Sequence, residues 1–226
     1  MQFTLVIPFY NEEKNVEKVL MDNIKSLDTL DIKYEIIAVD NGSTDNTASL
    51  IDKFVKDKRI KKITIKNNIG YGYGVAEGLK KANGEIIGWR DGDAQVSAGI
   101  IAKLYKCAVS NPNSVCKMKR ILREDGIQRK FFSFIFNSLV KLLFGISSKD
   151  INAKPKLFPR KLMEHITLES KDWFIDTELL IKAKKLGMDI KEIPGEYLKR
   201  KKGKSNVRII SIFEFLVNII RYYFRS

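Results

Sequence analysis

The sequence predicts an α/β fold with a mostly parallel central sheet flanked by helices. Two observations carry the prediction. Short apolar runs of strand length alternate with helix-period stretches through the first half of the chain. That alternation indicates a mostly parallel sheet covered on both faces. Asp40, Asp91 and Asp93 each stand just past an apolar run, where such sheets bind ligands.

The elements follow in order. Phe3–Ile7 reads as a strand, and Glu13 to Leu27 carries a helical pattern. Glu35–Val39 is a second strand, with a helix over Thr47–Val55. Ile60–Ile65 and Val75–Ala82 form the third strand and helix, and Ile86–Trp89 and Ala98–Val109 the fourth. From Val115 onward the alternation fades into long apolar-aromatic runs and basic clusters. With no linker rich in Pro, Gly or Ser and no internal repeat, the expected organisation is one domain over 1–206 and a C-terminal amphipathic helix over 207–226.

The 226 residues carry 41 Lys and Arg against 27 Asp and Glu, a net charge of +14, which predicts an anionic partner. A hydrophobic fraction of 44% is that of a folded globular chain. Cys107 and Cys116 have no metal-ligand spacing and read as interior thiols of a reducing compartment. The opening "MQFTLVIPFYNEE" reads as a strand rather than a secretory leader, and no stretch is apolar enough to span a bilayer.

The stretch "WRDGDAQ" holds the sharpest signal. Two carboxylates separated by one glycine repel each other, so a cation belongs beside them. In an extended segment Asp91, Asp93 and Gln95 project to one side and suit a hard ion such as Mg²⁺ or Mn²⁺, with diphosphate oxygens completing the shell. The bland alternative is a solvated Asp-Gly turn. In "VIPFYNEE" and "VDNGSTDNT" a strand runs straight into a polar loop. There Asp40 and Glu12 are candidates to bind a base or ribose and Tyr10 to stack on a base, while Asn11 and Thr44 or Asp45 are candidate helix caps. "NNIGYGYGVAEG" lacks a dinucleotide-binding glycine register, but its glycines permit close approach of backbone to a phosphate.

Taken together these segments resemble the family 2 glycosyltransferases of the GT-A (nucleotide-diphosphosugar transferase) fold. "VIPFYNEEKNV", "VDNGSTDNT", "NIGYGYGVAEGLKKANGEII" and "DGD" are similar to four signatures of that family, in order. Arg129, Ser133 and Asn137, with Arg200, Gly203 and Ser205, resemble patterns of its dolichyl-phosphate mannosyltransferase-like, polyprenyl-phosphate branch. The resemblance implies that Pro8, Tyr10, Glu12 and Asp40 cradle the nucleotide and that Asp91, Asp93 and Gln95 hold the metal. It places Arg200 near the donor phosphates, and Arg120, Arg129 and Ser133 around an acceptor phosphate. Two departures bear on acceptor and sugar: "DINAKPKLFPR" stands where the branch has an Asp-x-x-Ser-Gly-Phe-Arg pattern, and Asn206 stands where it tends to have Lys.

The implied reaction is an inverting transfer of a hexose from a GDP- or UDP-linked sugar to a polyprenyl phosphate, with Asp93 and Arg129 at its centre. A sugar-hydroxyl acceptor in polysaccharide or glycolipid synthesis is the alternative. It requires a general base, for which Asp176 is the candidate and Glu178 the second; both also suit a helix N-terminus. A basic nucleic-acid-binding protein accounts for the charge but not for carboxylates at a strand end, so no nucleic-acid partner is expected. A nucleotidyltransferase would release pyrophosphate instead of a nucleoside diphosphate. Lone His165 is assigned a structural place.

Two apolar helices point to a membrane surface. In "RKFFSFIFNSLVKLLFG" a stripe of Arg129, Ser133, Asn137 and Lys141 interrupts Phe, Ile, Leu and Val on the other faces. "ISIFEFLVNIIRYYFR" behaves similarly, next to the basic "KRKKGKSNVR". Peripheral or monotopic contact with an anionic, cytoplasm-facing membrane surface is the expectation, against simple core packing.

Overall fold

The structure is a computed structural model that describes residues 1–121, 127–198, 218–219 and 222–223, with the backbone alone for 127–132. Its centre is a seven-stranded sheet of order β3-β2-β1-β4-β6-β5-β7. The strands are β1 (Phe3–Phe9), β2 (Tyr34–Asn41), β3 (Ile60–Ile65), β4 (Ile86–Trp89), β5 (Ser114–Ile121), β6 (Lys156–Pro159) and β7 (Asp189–Glu196). The helices are α1 (Val16–Asp28), α2 (Thr47–Phe54), α3 (Tyr71–Lys80), α4 (Gly99–Ser110), α5 (Ile127–Phe144) and α6 (Ile175–Lys185), with a short 3₁₀ turn at Arg160–Glu164.

The expected strand–helix alternation is present through α4, with strands three and four at the expected bounds. The second half, where the alternation fades, also contributes three strands to the sheet. β5 and β7 pair in parallel, and β6 inserts antiparallel between β4 and β5. α1 begins at Val16 rather than Glu13, because Asn11 to Asn15 form the loop that faces the ligand edge.

β1 and β2 are buried along their whole lengths. Alternation therefore divides their side chains between two cores instead of between core and water. Phe3, Leu5, Ile7 and Phe9 meet Val16, Leu20 and Leu27 of α1 and Ile101 and Leu104 of α4. Val6, Ile37 and Val39 face Val75 and Leu79 of α3, in a cluster that continues through Trp89 and Phe158 to α5 and α6. Gly78 brings α3 down onto the sheet, since a Cβ there would stand 2.3 Å from a Val6 methyl.

Register fixes what gathers at the ligand edge. Phe9 pairs with Asp40, Val6 with Trp89, and Trp89 with Lys156. The carboxyl ends of β1, β2 and β4 thus lie side by side. Running antiparallel to β4, the chain before β6 places Lys154 across from Asp91.

Candidate active site

The loops after β1 and β2 are tied to each other. Asn11, at φ +53°, accepts the Thr44 backbone N–H through Oδ1 at 2.8 Å, and its own N–H donates to Ser43 Oγ at 3.1 Å. Asn11 therefore joins two loops and does not cap α1. Asp45 accepts the Thr47 N–H at 2.9 Å and the Glu13 N–H at 3.2 Å, so it serves the first turn of α2 and the same junction. Glu12 is buried, its carboxylate accepting from Asn15 Nδ2 at 2.6 Å and its N–H donating to Thr47 Oγ1 at 2.9 Å. Asp40 is buried and accepts the Ser43 N–H at 3.0 Å. With Pro8 buried in β1 and Tyr10 half-buried just beyond it, the four residues expected to cradle a nucleotide stand along one edge.

The acidic loop leaves β4 over Phe9. Gly92 is required there, because a Cβ would come within 2.5 Å of the Phe9 ring and 2.9 Å of the Pro8 carbonyl. The segment is a turn rather than extended: Ala94 has φ +60°, and Asp93 Oδ1 accepts the Gln95 N–H at 3.0 Å. Gln95 is consequently turned toward the end of β7, where its Nε2 donates to the Leu198 carbonyl at 3.0 Å and its Oε1 accepts from Tyr197 Oη at 3.1 Å. Beneath the loop lies Arg90, fully buried. Its guanidinium donates to the Asp91 carbonyl at 3.2 Å, the Val96 carbonyl at 2.7 Å and Asn23 Oδ1 at 3.1 Å. Burial lowers the Arg90 pKa, opposed by the Asp93 and Asp91 charges above it.

Facing the loop is a cationic wall. Lys154 Nζ lies 3.5 Å from Asp91 Oδ2 and 3.1 Å from Asp176 Oδ2. It also stands 4.7 Å from the centroids of both Tyr71 and Trp173, whose rings stack at 4.1 Å. Burial disfavours this ammonium, yet Asp176 and Asp91 outweigh it and raise the pKa, so Lys154 is a fixed cation. Asp176, fully buried in the first turn of α6, is also bonded by Lys156. Burial, reinforced by Lys117 and Lys154, lowers the Lys156 pKa against the pull of Asp176.

The Asp91 carboxylate and the buried Tyr71 hydroxyl interact with each other beside Lys154. The phenol's pKa is raised well above its ordinary value, first by burial and then by Asp91 and Asp176. A poorly solvated carboxylate is a position that a cation stabilises. Among the described residues no cluster of three or more His, Cys, Asp or Glu could hold a metal. Asp91 and Asp93 are a two-carboxylate set of the kind Mg²⁺ uses when substrate phosphates supply the remaining oxygens. The donor set fits.

Of the acceptor-side residues, Arg120 stands at the end of β5. Arg120 is clamped by Asp150 through Nε and Nη2, both at 2.7 Å, and lies 5.1 Å over the Tyr197 ring. Ser133 is half-buried on α5. The Arg129 side chain and the whole of Arg200 lie outside the described residues. Glu178, the second candidate base, instead accepts the Glu169 and Ser170 N–H groups at 3.0 and 2.8 Å and pairs with Lys182 at 2.7 Å. Three glycines of the 67–78 stretch are required by internal packing. A Cβ on Gly70 or Gly72 would meet the Lys171 or Ser170 carbonyl at 2.2 or 2.3 Å, and one on Gly74 the Asn41 side chain at 2.8 Å. His165 is exposed at the end of the 3₁₀ turn.

Sequence reasoning missed Arg90, Tyr71, Lys154 and Trp173. The only signal for Lys154 was its place in "DINAKPKLFPR", visible as a departure with no chemistry attached.

Fold and site together define the class: an α/β protein of the GT-A-like fold, with polar loops and an acidic pair at its strand ends. Solved structures agree on the fold. Glucosyl-3-phosphoglycerate synthase from Mycobacterium tuberculosis, in complex with Mn²⁺, uridine diphosphate and glucosyl-3-phosphoglycerate, superposes with TM-score 0.74 at 16% identity, covering 97% of this chain and 77% of that one. S. aureus TarS 1–349 with UDP-GlcNAc gives 0.64 at 21% identity, covering 97% and 65%. The sequence profile described as glycosyl transferase family 2 matches residues 4–167, and the chain belongs to that family.

Among curated relatives, an undecaprenyl-phosphate 4-deoxy-4-formamido-L-arabinose transferase of Proteus mirabilis is 29% identical over 163 residues, 71% of this chain and 50% of its own. A dolichyl-phosphate beta-glucosyltransferase, ALG5C of Trichomonas vaginalis, is 26% identical over 243 residues, covering 99% of this chain and 72% of its own. The chain thus spans half the length of the first relative and 72% of the second.

Proposed function

We propose that the protein is a metal-dependent, inverting glycosyltransferase that moves a hexose from a nucleoside-diphosphate sugar to a polyprenyl phosphate at a membrane surface. The observation that carries this reading is the pair of carboxylates, Asp91 and Asp93, in the turn just past the end of β4, with Lys154 against Asp91. The names of the relatives support the lipid-phosphate acceptor, and structural neighbours that bind UDP with Mn²⁺ support the donor class.

In this reading Pro8, Tyr10, Glu12 and Asp40 bind the nucleoside, and Asp91 and Asp93 hold Mg²⁺ or Mn²⁺. The bound ion supplies charge neutralisation on the departing diphosphate. Gln95 braces the loop from behind. Arg200 belongs with the donor phosphates. Arg120, held rigid by Asp150, belongs with Arg129 and Ser133 around the acceptor phosphate. An acceptor phosphate oxygen attacks the anomeric carbon from the face opposite the leaving group. The new C–O bond forms as the bond to the β-phosphate breaks, and its electron pair leaves with the nucleoside diphosphate.

No proton has to be removed from such an acceptor. That matches Asp176, whose carboxylate is occupied by Lys154 and Lys156 and acts in this reading as a positioning residue rather than a base. A sugar hydroxyl would find no available base there. Peripheral membrane contact fits α5, where Phe136 and Val140 pack inward while Phe134 and Leu142 are 69% and 79% exposed. Among the described residues no helix is long and apolar enough to cross a membrane.

The test is incubation of the protein with labelled UDP- and GDP-hexoses, Mn²⁺ and a polyprenyl phosphate. Label extracted with the lipid, absent when the lipid phosphate is omitted or a chelator is added, is the expected result. Label transferred only to a soluble sugar acceptor would overturn the proposal.

A further inference from the structure

Lys154 raises a question the reaction above does not answer. Its ammonium lies against Asp91, one of the two carboxylates to which the metal is assigned, at 3.5 Å. Asp176, its other partner at 3.1 Å, already has the Lys156 ammonium as a donor of its own. Lys154 is therefore shared between Asp176, the nearer partner, and Asp91. The stacked Tyr71 and Trp173 rings, each centred 4.7 Å from Nζ, confine the ammonium where it is and shield it from water. The antiparallel pairing of Trp89 with Lys156 fixes the arrangement through the backbone, Asp91 lying two residues after Trp89 and Lys154 two before Lys156.

We propose that Lys154 is a tethered cation that holds Asp91 until the donor arrives, so that the divalent ion enters together with the diphosphate rather than ahead of it. A bare ion approaching Asp91 meets a like charge a few ångströms away, in a poorly solvated site where that repulsion is strong. A nucleoside diphosphate brings the negative charge that offsets both cations. Its phosphate oxygens give the ammonium a new partner while Asp91 turns to the metal. Lys154 then becomes a second positive contact for the leaving group. The inference rests on the metal reading given above, and its test separates the two.

Mn²⁺ binding, read as loss of the free-ion paramagnetic resonance signal, is measured for the wild type, Lys154→Gln, Lys154→Met and Asp91→Asn, with and without UDP. Without nucleotide the wild type is expected to bind Mn²⁺ weakly, and both Lys154 variants about tenfold or more tightly than it. UDP is expected to tighten Mn²⁺ binding to the wild type by a larger factor than in either variant. Equal affinities of the wild type and the Lys154 variants without UDP would overturn the proposal and leave the metal site standing. Mn²⁺ bound by no protein under any condition, or bound equally by Asp91→Asn, would overturn the metal reading itself and the proposal with it. Should both lysine variants fail to fold, the wild type still decides: Mn²⁺ affinity unchanged by UDP refutes ordered entry, and strong coupling sustains it.

Discussion

Arg90 Nη2 donates to the Val96 carbonyl at 2.7 Å, while Nε of the same guanidinium donates to the Asp91 carbonyl at 3.2 Å. One buried side chain thus grips the acidic loop at both ends, and Nη1 fastens it to Asn23 of α1 at 3.1 Å. A planar fork can span these acceptors and the point charge of a lysine cannot. Arg90→Lys is expected to fold but bind UDP with Mn²⁺ about tenfold more weakly. Arg90→Met, which strands buried carbonyls, is expected to lose about 2–3 kcal/mol of stability. Titration with UDP and urea unfolding read the two effects. Undiminished nucleotide affinity in Arg90→Lys would show that the loop holds its shape without the fork.

The two expected metal ligands nearest β4 and the third differ in what they touch, so their variants should part company. Asp91→Asn and Asp93→Asn remove the charge that holds the ion while keeping side-chain shape. Each is expected to lower turnover by on the order of a hundredfold or more, since metal stabilisation of the leaving group is worth several kcal/mol. Gln95→Ala instead frees Tyr197 and Leu198 and is expected to cost about 1 kcal/mol of stability. Its Mn²⁺ affinity in the presence of UDP should stay within about a factor of two of the wild type. A large loss of Mn²⁺ affinity in Gln95→Ala would restore the amide to the coordination shell.

How far the sequence could be read is set by where charge is buried. Strands β1 to β4 are apolar and stood out; Ile60–Ile65 and Ile86–Trp89 match to the residue. β5 and β6 were hidden because Lys117 and Lys156, polar in any pattern, lie fully buried inside the sheet. Those lysines are register partners across β5 and β6, held by Glu192 and Asp176, and no local pattern announces such distant pairing. The β7 strand carries Pro194 and Gly195 and sits at the sheet edge, where both are tolerated. The site was legible as far as its own strand ends reach: Asp40, Asp91 and Asp93 follow apolar runs. Its opposite wall comes from segments about 60 to 85 residues further along, and only the fold brings Lys154 and Asp176 to Asp91.

A buried carboxylate in β2 gives the protein an acid-sensitive seam away from the site. Glu35 in β2 is nearly inaccessible; it accepts from Thr4 Oγ1 at 2.8 Å and the Asn83 N–H at 3.0 Å, and pairs with Lys61 at 2.6 Å. Burial alone would raise its pKa, but Lys61, Asn83 and Thr4 outweigh burial and lower it. A carboxyl depressed on folding stabilises fully above its unfolded pKa, and that contribution disappears as pH falls through the folded value. Glu35→Gln is expected to cost about 1–3 kcal/mol at pH 7 and much less near pH 3. Urea midpoints across that range supply the comparison. Wild-type and variant curves that run parallel at every pH would mean that the carboxylate's charge contributes nothing.

The outer face of α5 supplies the last prediction. Phe134 and Leu142 lie eight residues apart with Ser138 between them, all exposed on one side of the helix, while Phe136 and Val140 fill the core on the other. The apolar circumference read from the sequence therefore divides in two, one half structural and one half facing out. Each exposed side chain, moved from water into the acyl boundary, is worth about 1.5–3 kcal/mol, and with a net charge of +14 anionic headgroups add a salt-dependent attraction. The wild type is expected to sediment with vesicles containing phosphatidylglycerol at low salt. Phe134→Ser and Leu142→Ser should each weaken that binding by about tenfold or more without lowering the urea midpoint, because neither side chain is packed. Salt should weaken the wild type and both variants by a similar factor, since it acts on charge and not on the apolar anchors. A protein that stays in the supernatant at low salt, or variants that bind as the wild type does, would remove α5 from the membrane and leave the acceptor to reach the site by another face.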